Sequence, residues 1–198
     1  MKQITFNQYR QIDIILLCII TAVFEGIACI ATTEWFSLQA MAISITFTMV
    51  CITALRWGAL SILPSFVGAF VYCVFSGANV RQFVVYCGGS LFCLITIPLL
   101  NKLSKEKVRL RFNHRLCYVS TTYLAITIGR WIISLIFELT FVTFLPFITT
   151  DILSLLFAIV VLSALKSSDG LLEDQKSYLL RLEKERIEAQ ETNLNNQF

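Results

Sequence analysis

Five ionisable side chains stand inside long apolar stretches of this 198-residue chain: Asp13, Glu25, Arg130, Glu138 and Asp151. A charge at membrane depth costs at least a few kcal/mol against lipid, so such residues turn towards a bundle interior, water, a ligand or a counter-ion. Asp13, at the edge of its stretch, is expected to snorkel or to cap. Arg130 is the most informative of the five. At helical spacing Tyr123, Thr127, Arg130, Ser134 and Glu138 fall on one continuous face. Two readings of Arg130 stay open: contact with a ligand, or a packing pair with Asp151 or Glu25. Thr149, Thr150 and Asp151 follow Pro146 at the start of the last apolar stretch. There they either cap a helix or join its N-terminal amides in receiving an anionic group. Ser37, Met41, Ser44 and Thr48 share a face of another stretch, after Thr32, Thr33, Glu34, Trp35 and Phe36. This acidic and aromatic segment reads as a lid over the polar face, or, for Trp35, as an interfacial anchor.

Other chemistry is missing from the sequence. It contains no P-loop, no HExxH, no nucleophile elbow and no Gly-rich nucleotide fingerprint, and its one histidine, His114, lies among basic residues. An intrinsic ATPase or hydrolase is therefore not expected. Seven cysteines, Cys18, Cys29, Cys51, Cys73, Cys87, Cys93 and Cys117, stand singly without a CxxC pair, which argues for packing rather than zinc or redox chemistry. No cofactor or metal is expected.

The elements that position these residues follow from composition. The chain is 57% hydrophobic and 15% charged, with a mean hydropathy of +0.74, and this predicts an all-α membrane protein. Six spans are expected near 12–31, 39–55, 57–76, 82–101, 117–143 and 146–165. Lys102, Lys105, Lys107, Arg109, Arg111 and Arg115 crowd one connector against a single acid, Glu106. With Lys2, Arg10, Arg56 and Lys166 on the same side, the outer loops keep only Arg81, which predicts both termini inside. The net charge of +3 arises mostly from that connector and needs no nucleic-acid partner. The first span begins after Arg10, carries Asp13 and Glu25 and lacks a small-residue cleavage site, so it is expected to be retained. No inverted repeat is evident, which fits a binding subunit better than a self-sufficient carrier.

Two parts are expected: a six-helix transmembrane substrate-binding domain over 1–166 and a cytoplasmic helical tail over 167–198. The tail mixes Leu171, Leu172, Leu179, Leu180 and Leu182 with both signs of charge. It reads as an amphipathic helix capped by Ser167 or Ser168, lying on the membrane surface or docking a partner, with residues from Asn193 onward disordered.

The stretch Thr53-Ala54-Leu55-Arg56-Trp57-Gly58, the following apolar helix with Gly68, and Ser76-Gly77 resemble the Leu-Arg-x-Gly hairpin of the substrate-binding S components of energy-coupling factor vitamin transporters. The thiamine-specific members look closest. Span order and loop placement extend the likeness over most of the chain. The resemblance implies a bacterial plasma-membrane subunit that captures a vitamin outside and works with a transmembrane coupling subunit and two ATPases. It implies coupling-subunit docking at Ala22 and Gly26, a small-xxx-small pair, with Ala28 and Thr32 as a second. Glu25 departs from that motif and points away from the Ala22–Gly26 face, towards the bundle interior. The resemblance further implies substrate contacts at Ser44, Arg130, Ser134 and Thr150, with Gln82 and Tyr86 nearby. A carboxylate and a histidine typical of thiamine recognition are replaced by Ser44 and Ser134. An arginine in a hydroxyl-lined site suits a carboxylate or phosphate, which puts pantothenate first and pyridoxine or a pyrimidine precursor behind it. Glu34, Trp35, Thr127 and Asp151 complete the expected site. The alternative readings are a membrane scaffold for cell-wall synthesis machinery, resting on the tail, and a self-sufficient channel or carrier.

Overall fold

The few helix breakers in this apolar sequence decide where its helices end. In a computed structural model that describes residues 5–35, 43–137, 144–167 and 170–195, the described residues form helices and turns without a strand. In chain order they are α1 (Phe6–Trp35), α2 (Ile45–Trp57), α3 (Ile62–Phe75), α4 (Val80–Ser90), α5 (Thr96–Leu103), α6 (Lys105–Leu110), α7 (Phe112–Leu135), α8 (Phe144–Ala164) and α9 (Gln175–Asn195). Short 3-10 turns occupy Gly58–Ser61, Leu91–Ile95 and Leu165–Ser167. Gly58 and Gly77 both take positive φ, +62° and +65°, a conformation a side chain resists, and each closes a tight reversal. Asn79 then starts α4 with a reciprocal capping box: its side chain accepts from the Gln82 amide at 3.0 Å, and the Gln82 side chain accepts from the Asn79 amide at 2.9 Å.

Contacts between distant residues set the directions. Asp13 meets Arg56 at one end while Glu25 meets Thr46 at the other, so α1 and α2 run antiparallel. The chain reverses at Gly58, and α3 returns so close to α2 that a Cβ on Gly68 would fall 1.9 Å from Thr46 Oγ1. Ser65 donates to the Ser90 carbonyl and Phe70 stacks edge-on against Phe83, which sets α4 antiparallel to α3. Gly89 and Gly129 seat α7 against the α4–α5 stretch: Cβ atoms there would lie 2.7 Å from the Arg130 backbone and 2.4 Å from Phe92. Arg130 with Asp151, and Arg115 with Ser163, run α8 back down α7. The result is a bundle of segments alternating in direction, with one end crowded by basic residues and the other holding a cavity.

Four continuous helical stretches among the described residues are long and apolar enough to cross a membrane: Phe6–Thr32, Ile45–Phe75, Val80–Leu103 and Phe112–Leu135. The second of these is not one rod, because the Thr46–Gly68 contact folds it in half. Ile15, Leu16, Ile19, Val23, Ile27 and Ile30 of α1 are about half exposed, as are Phe66, Phe70 and Val74 of α3. Such broad apolar exposure fits a membrane-embedded protein and would be a liability in water. The interior packs Val50, Cys51 and Leu55 of α2 against Leu100, Tyr118, Val119, Ala158 and Leu162.

Three boundaries differ from the sequence expectation. Helix α7 starts at Phe112 rather than 117, with Arg115 only 2% exposed. The guanidinium fits there because Ser163 Oγ accepts from Nη1 at 2.8 Å and the Arg109 carbonyl accepts from Nη2. The second expected span begins at Ile45, with 39–42 outside the described residues, as are 138–143 of the fifth. The largest difference concerns the tail. Leu172 joins the core at 1% exposure, and the Gly170 and Leu171 carbonyls accept from Arg56 Nη1 at 3.3 and 3.2 Å. The tail's first residues therefore plug the basic end of the bundle. Its helix is capped at Asp174, whose carboxylate accepts from Ser177, and it continues to Asn195.

Candidate functional site

Helix α1 carries its inward residues at four-residue spacing, Leu17, Thr21, Glu25 and Cys29, which brings one carboxylate into the bundle. Glu25 is only 3% exposed. One oxygen accepts from the Ser44 hydroxyl at 2.8 Å, and the other accepts from the Thr46 amide, also at 2.8 Å. The Ser44 amide donates in turn to Ser154 Oγ at 2.8 Å. Ser154 stands one turn along α8 from Asp151, which is ion-paired with Arg130. The Arg130 guanidinium lies over the Tyr86 ring, 4.8 Å from its centroid, and the Tyr86 ring lies 5.1 Å from that of Tyr72. A polar belt thus draws on α1, the start of α2, α3, α4, α7 and α8.

The belt borders a cavity that also touches Phe47, Tyr123 and Thr127. Measured to the centres of water-sized spheres it encloses about 120 Å³, room for several waters or part of a small ligand. Thr127 donates to the Tyr123 carbonyl at 2.9 Å, Tyr123 donates to the Ile148 carbonyl, and Phe47 packs edge-on against the Tyr123 ring at 5.9 Å. The arrangement offers one ion pair, one further carboxylate, hydroxyls and aromatic faces, which together can hold and orient a small polar molecule.

Of the residues expected from sequence, Ser44, Tyr86, Thr127, Arg130 and Asp151 all line this cavity. The Arg130–Asp151 pair is one of the arrangements left open above. Gln82 does not line it: it is exposed and engaged in the Asn79 capping box, a turn before Tyr86. Ser134 is buried and donates to the Trp131 carbonyl at 2.7 Å, also away from the lining. Glu34 and Trp35 sit in the last turn of α1 and Thr150 in the first part of α8, but their side chains lie outside the described residues, as do Ser37, Met41 and Glu138 entirely. Gly26 is buried beneath Phe75, where a Cβ would come within 3.3 Å of the ring, so it serves the α1–α3 contact inside the chain; Ala22 is half-buried. The site reading from sequence omitted Glu25 and Tyr72. A carboxylate at membrane depth was the available signal for the first, whereas a tyrosine in an apolar helix gives none.

The opposite end is built from matched charges. Asp13 accepts from Arg56 Nε and Nη2 at 3.1 and 2.8 Å and from Trp57 Nε1 at 2.5 Å. Glu173 pairs with Arg109 and, at 3.0 Å, with Arg181, and Asp174 pairs with Lys105. No group of three or more metal-ligating side chains occurs among the described residues. Compared with family models, curated proteins and solved structures, the chain matches none.

Proposed function

We propose that this protein is a membrane-embedded capture subunit that takes a small water-soluble molecule, a vitamin by its sequence resemblance, into the cavity bordered by Glu25, Arg130 and Asp151. The buried polar belt supports this reading: six segments commit polar side chains to one spot within an apolar bundle, where each is costly unless used. The positive-inside rule puts the basic end in the cytoplasm and opens the cavity outward, with six spans and both termini inside. Transport then depends on a coupling subunit and two ATPases, since the chain carries no nucleotide motif of its own. The belt also suggests how cargo would be released. Ser44 links α1 to α8 at the head of α2, so a shift of α1 against a partner would pull on cavity walls directly.

The test is equilibrium binding of a vitamin panel to the purified chain in detergent. One vitamin binding in the nanomolar range is expected. Silence across the panel from folded protein overturns the reading and turns attention to the scaffold alternative, whose observation is α9, a long helix with Leu180 exposed beyond the docked residues 170–175. That alternative predicts loss of partner recruitment when residues 176–198 are removed.

A further inference from the structure

We infer that the ligand of this cavity is a small organic cation and that Glu25 is its counter-charge; the inference rests on the capture reading above. Among the described residues, the carboxyl and guanidinium groups lining the cavity belong to Glu25, Arg130 and Asp151. Arg130 and Asp151 neutralise each other. Glu25 is held only by neutral donors, the Ser44 hydroxyl and the Thr46 amide. Among the described residues Glu25 is therefore the one cavity carboxyl group with no base paired to it, at a position 3% exposed.

No base other than Arg130 lines the cavity among the described residues. The segments 36–42 and 138–143, which adjoin the cavity-end termini of α1, α2, α7 and α8, contain no lysine, arginine or histidine. Arg81, the other base at that end, is exposed on the first turn of α4 and does not line the cavity. A buried carboxylate without a counter-charge is strongly disfavoured, and an arriving cation would remove that penalty as it binds. The walls suit such a guest. Tyr72, Tyr123 and Phe47 present aromatic rings around the same space, and a ring face attracts a desolvated cation.

The case for an anionic cargo such as pantothenate rested on a free guanidinium, and Asp151 already takes that charge.

The experiment titrates the full chain in lipid nanodiscs with a charge-graded set: thiamine and choline as cations, 3,3-dimethylbutan-1-ol as the neutral isostere of choline, pyridoxine, and pantothenate and biotin as anions. The tightest probe is expected to be a cation, with choline bound at least tenfold more tightly than its neutral isostere. Glu25→Gln, which keeps the shape and removes the charge, is expected to weaken the best cation about tenfold or more. An anion or neutral probe binding tightest, or a cation indifferent to Glu25→Gln, overturns the cation assignment while leaving the capture reading intact. No probe binding removes both. Should Glu25→Gln fail to fold, the wild-type order of affinities across the charge series decides alone.

Discussion

The two ends of the bundle treat buried charge differently. At the basic end the half-buried described acids each meet a base: Asp13 with Arg56, Glu173 with Arg109 and Arg181, Asp174 with Lys105. At the cavity end one acid is matched and the other, Glu25, is held by a hydroxyl and an amide. Matched charges fix geometry, because separating them leaves each uncompensated. A carboxyl group without a base in a cavity instead favours an arriving cation. The first end reads as a clamp and the second as a receptor.

The largest test of that contrast breaks the clamp. Arg56→Ala strands Asp13 and removes the donor to the Gly170 and Leu171 carbonyls, and should cost about 3–5 kcal/mol. It would appear as a lowered melting temperature in detergent together with faster proteolysis near residue 170. An equal melting temperature would mean that the clamp is not structural. Next in size, Gly89→Ala drives a Cβ towards the Arg130 backbone, which cannot rotate aside, and should destabilise by about 1–3 kcal/mol in the same melting assay. A smaller and more selective effect is expected at the receptor end. Arg130→Ala leaves Asp151 as a second acid without a base, so a cation should bind about tenfold more tightly, about 1.4 kcal/mol, while the protein stays folded, as isothermal titration and melting would report together. Adding Asp151→Ala should abolish that gain, because it removes the second uncompensated acid. Smallest of all, Lys184→Ala removes one exposed pairing with Glu188 on α9 and should change stability by no more than about 0.5 kcal/mol.

Much of the cavity was legible before any coordinates. Arg130, Thr127 and Asp151 announced themselves because charge and hydroxyl groups are conspicuous in apolar helices, whereas Glu25 stood out at membrane depth without being assigned to the site. Residues joined across long separations were not legible. Asp13 and Arg56 are 43 positions apart, and neither neighbourhood names its partner. The same holds for the docked start of the tail: Leu172 reads as one leucine in an amphipathic helix, and only the bundle's open end makes it a plug. Gln82 is a different case. The Asn79-x-x-Gln82 pattern is a capping signature, and local sequence alone assigns that side chain to the helix start rather than to a ligand.

The depth of Glu25 has an electrical consequence. It stands ten residues before the end of the 30-residue α1, about 15 Å along the axis and roughly a third of the way down the helix. A full crossing of one charge changes energy by about 2.3 kcal/mol per 100 mV, so, with the cavity opening outward as proposed, a cation settling beside Glu25 would gain a fraction of that. Occupancy of the cavity would then follow the voltage of the cell, filling on an energised membrane and loosening as the potential collapses.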